Sequence, residues 1–331
     1  MSFILINKPV GPTSHDLVFQ ARKMFKEKKI GHSGTLDPAA CGLLILGKNQ
    51  GTKFLQYLID IKTYEFTIKF GIKTDSADLE GNVVEENDAR PTLSEIEKIL
   101  PEFVGNITQI PTKFSAIKIN GKRAYDLVRE NIDFEMPERK ITISELELLS
   151  YEKSNHENDN ELNYHSHKHT HKCETVTLRA TCSAGSYIRT LAQDIAEKLG
   201  CIAVVIFLKR VAIGNIQLNS LKERDFVEEP LDMLKMMYVN LKLTNEHIVR
   251  LQMGQRIRIY AQQVIKCENM IRVELENKIE NKVESMMQED ENDRKIDLDD
   301  GIYVGIDSHD RFCGMIKIER AVIFPLCMVK I

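Results

Sequence analysis

The chain has 331 residues, 43% of them hydrophobic, a length that at roughly 100–200 residues per domain predicts two domains with real cores and excludes wholesale disorder. No apolar run nears the roughly 18 residues of a membrane span, and the N-terminus has no basic leader of the kind a signal peptide carries. Charge is nearly balanced, 45 Lys and Arg against 49 Asp and Glu, and the seven cysteines include no C-x-x-C pair, which excludes a disulfide framework or zinc ribbon and predicts a reduced, cytoplasmic protein.

The first predicted element is a helix over Ser14–Lys28, opened by Thr13-Ser14 and carrying apolar residues at 17, 18, 21, 24 and 25. Tyr64–Gly71 alternates, with Tyr64, Phe66, Ile68 and Phe70 on one side, and predicts a strand. A helix follows over Leu93–Leu100, behind Thr92 and stopped by Pro101. Lys140–Leu149 and Thr175–Cys182 are strand-like and flank residues 154–172, an Asn- and His-rich stretch with too little apolar surface to offset its ordering entropy. Together they predict a hairpin with a swollen loop. Tyr187–Leu199 is an amphipathic helix ended by Gly200, and Ala203–Ile213 is a strand.

Beyond about residue 240 the pattern changes. Short strands at Ile248–Leu251, Arg256–Tyr260, Val264–Cys267, Ile271–Leu275, Ile302–Ile306 and Phe312–Ile318 have the close spacing of a small all-β barrel. Residues 276–300 read as a second polar insert within it. The expected architecture is an α+β body over 1–239 followed by a β-rich module over 240–331.

The net charge of −4 conceals an asymmetry. Residues 1–73 carry a net +6, whereas 274–300 carry a net −7. A basic surface facing a phosphate backbone is therefore admissible despite the acidic average. His165, His167, His169 and His171 would share one face of a strand and could attract a divalent cation. No carboxylate or thiol spacing accompanies them, so no functional metal is expected.

The most informative stretch is Gly31-His32-Ser33-Gly34-Thr35-Leu36-Asp37-Pro38, a glycine-rich loop with one carboxylate. It lacks the Gly-Lys-Ser or Gly-x-Gly-x-x-Gly of a phosphate cradle. From composition alone Asp37 is a turn residue. The loop resembles the catalytic loop of the TruB family of tRNA pseudouridine synthases, and five further stretches resemble that family's motifs in its order. They are Ile6-Asn7-Lys8-Pro9 through Asp16; Lys62-Thr63-Tyr64-Glu65-Phe66 with Gly71 to Gly81; Gln109-Ile110-Pro111 through Tyr125; Cys182-Ser183-Ala184-Gly185-Ser186-Tyr187-Ile188-Arg189; and Phe207-Leu208-Lys209-Arg210. The resemblance spans roughly residues 3–214.

It implies a pseudouridine-synthase fold, α+β with a central mixed, mainly antiparallel sheet flanked by helices. Over 240–331 the shorter match implies the small RNA-binding barrel called PUA. The implied activity is isomerisation of the uridine at position 55 in the T arm of tRNA, by a monomer and without cofactor. Asp37 would be the nucleophile, at the ribose C1′ or at C6 of uracil, with Arg189 as its cationic partner. Tyr64 would lie against the base and assist proton removal. His32 would fill the stack that the flipped base vacates. Leu208 would wall the pocket, and Lys8 would hold loop or phosphate.

Ser33, Ala184, Asn131, Ala196, Val204 and Lys209 depart from the usual family pattern, none at a position assigned to chemistry. Two other functions share the scaffold: a non-catalytic RNA-binding or RNA-folding factor, and a guide-dependent enzyme acting on ribosomal RNA. The chain's start at the first motif favours the free-standing type over the guide-dependent one.

Overall fold

Two apolar runs without alternation, Phe3-Ile4-Leu5-Ile6 and Leu43-Leu44-Ile45-Leu46, form neighbouring strands buried on both faces in the computed structural model of the protein. The structure describes residues 2–154, 172–221, 226–258, 300–320 and 322–329. A strand covered on both sides needs apolar residues at every position, so its sequence shows no period of two. Ile4, Ile6, Leu44 and Leu46 pack on Leu17, Val18 and Ala21 of a helix. Phe3, Leu5, Leu43 and Ile45 pack the other way, against Phe54 and the C-terminal Val304 and Phe312.

These strands belong to a ten-stranded sheet whose main order is Phe226–Glu229, Ser2–Lys8, Cys41–Lys48, Ala203–Ile213, Lys62–Phe70, Cys173–Cys182, Arg139–Lys153 and Gly105–Gln109. Every pairing in it is antiparallel except one. Ala203–Ile213 meets Cys41–Lys48 in parallel, through Lys209↔Cys41 and Arg210↔Gly42 only. The sheet is thus hinged at a two-residue joint, and the Asp37 loop enters directly before it. Gly42 is obligatory there: its φ is +104°, and a Cβ would lie 2.3 Å from the Arg210 carbonyl oxygen.

The helix after Thr13 runs Ser14–Met24. Thr13 accepts from the Asp16 amide while the Asp16 carboxylate accepts from the Thr13 amide, a reciprocal cap worth about 0.5–2 kcal/mol. It ends sooner than expected because Lys26 turns left-handed, at φ +53°. Thr92 and Glu95 cap Leu93–Ile99 in the same way, and Pro101 lies in a following 3-10 turn. Arg139–Lys153 and Cys173–Cys182 form the predicted hairpin. Most of the 154–172 insert, with its five histidines, lies outside the described residues.

Phe66, Ile68 and Phe70 alternate inward on Lys62–Phe70 and meet Leu191, Ala192 and Ile195 of the helix Ile188–Lys198. Each such side chain contributes about 1.5–3 kcal/mol by leaving water.

The C-terminal strands Asn240–Lys242, Gly301–Ile306, Phe312–Glu319, Val322–Met328 and Ile257–Arg258 form a five-stranded sheet. One expectation fails here: Ile248–Leu251 is helical, within Asn245–Gln252. Thr244 caps it, Ile248 and Leu251 point inward at a spacing of three, and Val249 between them is 49% exposed. A four-residue apolar run does not distinguish the two periods. The expected strands Val264–Cys267 and Ile271–Leu275 lie outside the described residues, as does nearly all of 276–300. No helix among the described residues is long and apolar enough to cross a membrane.

Candidate active site

The loop bearing Asp37 is clamped from three directions. Ser33 donates its amide to the Ile45 carbonyl at 2.9 Å. The Ser14 hydroxyl accepts from the Leu36 amide at 2.8 Å, and Leu36 itself is buried in the main core. Lys8, wholly buried, donates its Nζ to the carbonyls of Pro9 at 3.0 Å, Pro38 at 3.2 Å and Ala40 at 2.6 Å. Burial pulls the Lys8 amine below its usual range. Lys8 thus bonds three loop carbonyls and has no exposed surface.

Held this way, Asp37 projects its carboxylate into a cavity of about 430 Å³. Arg189 Nη2 lies 2.9 Å from Asp37 Oδ2, and Arg189 Nη1 lies 3.1 Å from Asp78 Oδ2. The same guanidinium donates to the carbonyls of Ser76 at 2.7 Å and Phe114 at 3.1 Å. Asp78 is fixed in turn by the Ser76 hydroxyl at 2.6 Å and the Glu80 amide at 3.0 Å. One buried fork therefore joins the Asp37 loop, the turn after Lys62–Phe70, and the segment before Lys118.

Tyr64 and Leu208 line the cavity from adjacent strands, with Arg210 beside them. The Tyr64 phenol is pushed up by burial, and the Arg210 guanidinium opposes that shift. Lys62, Lys118 and Arg139 stand around the same cavity. His32 ends a short strand paired with Leu46 and does not line it. Its Nδ1 is buried without a hydrogen-bond partner, and desolvation lowers its pKa, which favours the neutral ring.

Asp37, Tyr64, Arg189 and Leu208 thus come together, while His32 stands at the loop's entry and Lys8 beneath it. Asp78, within the Gly71 to Gly81 stretch, and Arg210, in Phe207-Leu208-Lys209-Arg210, lie in the motifs but carry no expected role. The signal for Arg210 was available: Leu208 and Arg210 are two apart on one strand and share a face. Lys209, between them, faces a second hollow with Arg179 and Glu65. For Asp78 no local signal exists, because its partner is far along the chain. Asn131, where glycine is usual, has φ +53°, a conformation asparagine tolerates. Among the described residues no group of three or more His, Cys, Asp or Glu could hold a metal ion.

Residues 22–188 match the family model described as TruB family pseudouridylate synthase (N terminal domain). A protein of Synechocystis sp. is 39% identical over 219 residues, covering 66% of this chain and 68% of its own length. One of Actinobacillus pleuropneumoniae serotype 5b is 36% identical over 288 residues, covering 80% and 88%. Both are named tRNA pseudouridine synthase B. Among solved structures, an H/ACA RNP bound to a substrate RNA containing 2'-deoxyuridine superposes with a TM-score of 0.61 at 16% identity, covering 100% of this chain and 84% of that one. A Cbf5-Nop10-Gar1 complex gives 0.61 at 19% identity, covering 96% and 78%. At that identity the likeness is one of fold.

Proposed function

The chain belongs to the TruB family of pseudouridylate synthases, and we propose that it isomerises uridine to pseudouridine in tRNA, at position 55 of the T arm, with Asp37 as nucleophile. The observation that carries this reading is the Asp37–Arg189 ion pair at 2.9 Å, set in a cavity walled by Tyr64 and Leu208. A binding module has no need of a carboxylate held this way.

The target base lies stacked in folded RNA, so it must be extruded at a cost of a few kcal/mol. The neutral, flat ring of His32 suits the gap left behind, and Lys62, Lys118 and Arg139 suit the phosphates around the flipped nucleotide. With the base in the cavity, Asp37 attacks C1′ or C6 and the C1′–N1 bond breaks. The freed ring turns between Tyr64 and Leu208, C5 bonds to C1′ (displacing the Asp37 carboxylate where C1′ was attacked), and the C5 proton leaves. Arg189 orients the attacking carboxylate and keeps a counter-charge beside it where water is scarce. Residues 1–239 serve as the catalytic body. The 240–331 module, with its own core of Leu241, Leu251, Ile316 and Ile318, serves as a PUA-like RNA contact. The enzyme acts as a cytoplasmic monomer.

Tritium release from C5-labelled uridine in free tRNA tests this reading, comparing wild type with Asp37→Asn. Release by the wild type alone is expected. Isomerisation surviving in the variant would sink the mechanism. Activity that appears only with added protein and guide RNA would favour the ribosomal reading, and tRNA binding without isomerisation the non-catalytic one.

A further inference from the structure

Arg210 is the bulkiest side chain fully buried among the described residues, at 1% exposure. Its Nε donates to the Leu43 carbonyl at 2.7 Å, but Nη2 has no partner among the described residues. Arg189 has two carboxylates; Arg210 forms no ion pair among the described residues. A buried cation without counter-charge is costly and persists only where the fold or the function holds it. The fold holds it at the sheet's hinge, opposite Tyr64 on one neighbour and Gly42 on the other, with Nη1 turned toward Gly34 of the Asp37 loop.

The charged and titratable groups around this point are few. Tyr64 is faced by Arg210, by the Cys182 thiol from the hairpin and by Asp37 from the loop. Lys62, on its own strand, lines the same cavity. Lys8 and His32 lie within the field of Arg210, and neither can supply an anion. Asp37 is already held by Arg189. What the site lacks at rest is a negative charge next to Arg210, and the Tyr64 hydroxyl is the group able to furnish one.

We propose that Arg210 is a positioning residue for Tyr64: its guanidinium, opposite Tyr64 on the neighbouring strand, stabilises the phenolate form that takes the proton from C5 of the rotated base. This rests on the reading of the site given above, in which Tyr64 assists proton removal. In the step, the C5–H bond breaks and its electron pair becomes the C5=C6 bond. After attack at C1′, the C6=N1 pair returns to N1 as a proton arrives there from water. After attack at C6, the C6–O bond to Asp37 breaks instead, and its pair leaves with the carboxylate. In both cases Tyr64 Oη holds the C5 proton until it passes to solvent.

Two measurements test this, and they fail separately from the Tyr64 reading. The first is single-turnover tritium release against pH for wild type, Tyr64→Phe, Arg210→Lys, Arg210→Met and the Tyr64→Phe/Arg210→Met double variant. Arg210→Met is expected to slow release about 10- to 100-fold with tRNA affinity changed less than about twofold, and to move the rising limb to higher pH. Arg210→Lys should recover much of the rate, and the double variant should be no slower than Tyr64→Phe alone. The second follows the ¹⁹F shift of 3,5-difluorotyrosine placed at position 64 against pH, with no RNA present. Its ionisation should move upward in Arg210→Met and, by less, in Arg210→Lys.

An unmoved ionisation, or an Arg210→Met loss undiminished in the Tyr64→Phe background, overturns the proposal. Tyr64→Phe releasing tritium at the wild-type rate instead overturns the reading of Tyr64 as base, whatever the ¹⁹F result. Should Arg210→Met not fold, Arg210→Lys decides by the same two readouts: wild-type ionisation and pH profile in that variant reject the proposal.

Discussion

Arg189 holds Asp37 at 2.9 Å from the second position of the helix Ile188–Lys198, where its charge opposes the helix dipole. The arrangement is stable because Asp78, 6% exposed, answers the same guanidinium at 3.1 Å. Asp37, its side chain 40% exposed, gains orientation from the pair, whereas Asp78 anchors it.

Removing the guanidinium therefore acts on both stability and rate. Arg189→Met leaves the Asp78 charge buried and unpaired, so urea unfolding should show a loss of about 3–5 kcal/mol along with lost isomerisation. Arg189→Lys keeps the charge but loses the fork. It should recover most of the stability and only a small part of kcat.

Gly42→Ala forces a side chain onto a residue at φ +104° and against the Arg210 backbone. Backbone strain and overpacking together should cost about 3 kcal/mol or more in thermal unfolding. Because the clash opens the Arg210↔Gly42 joint, kcat should fall more than the tRNA affinity.

The lowered pKa of His32 has a defined sign. The native state keeps the ring neutral, so on acidification the unfolded chain binds the proton first. Stability is then greatest above the ordinary value near 6.5 and declines as pH falls from there toward the lowered native value. Urea titrations at pH about 7.5 and about 5.5 should show a decline for wild type that is reduced in His32→Gln.

Residues 276–300 carry a net −6, more than the −4 of the whole chain. Deleting them should tighten tRNA binding at low salt or leave it unchanged, with any gain fading as ionic strength rises. Filter binding across a salt series measures this, and weaker binding on deletion would contradict it.

How far the fold could be read from the chain depended on periodicity. Lys62–Phe70 alternates because one face meets the core, and Thr13 and Thr92 announce their helices by local caps. Cys41–Lys48 was missed: buried on both faces, it shows a run of leucines and isoleucine in place of a period. Ile248–Leu251 was read as a strand because four apolar residues carry too few turns to reveal a helix.

For the site, the chain by itself determined the family and singled out Asp37, Tyr64 and Arg189 as candidates, since a motif is a local string preserved in order. It also determined that Lys8 precedes a proline, but not that its amine is buried on three loop carbonyls. Only the tertiary structure decided that Asp78 completes the Arg189 fork, and that Arg210 lies beside Tyr64 without a counter-charge among the described residues. The reason is physical. Ion pairing and desolvation depend on distance and burial, and these arise when strands over a hundred residues apart in sequence meet in one sheet.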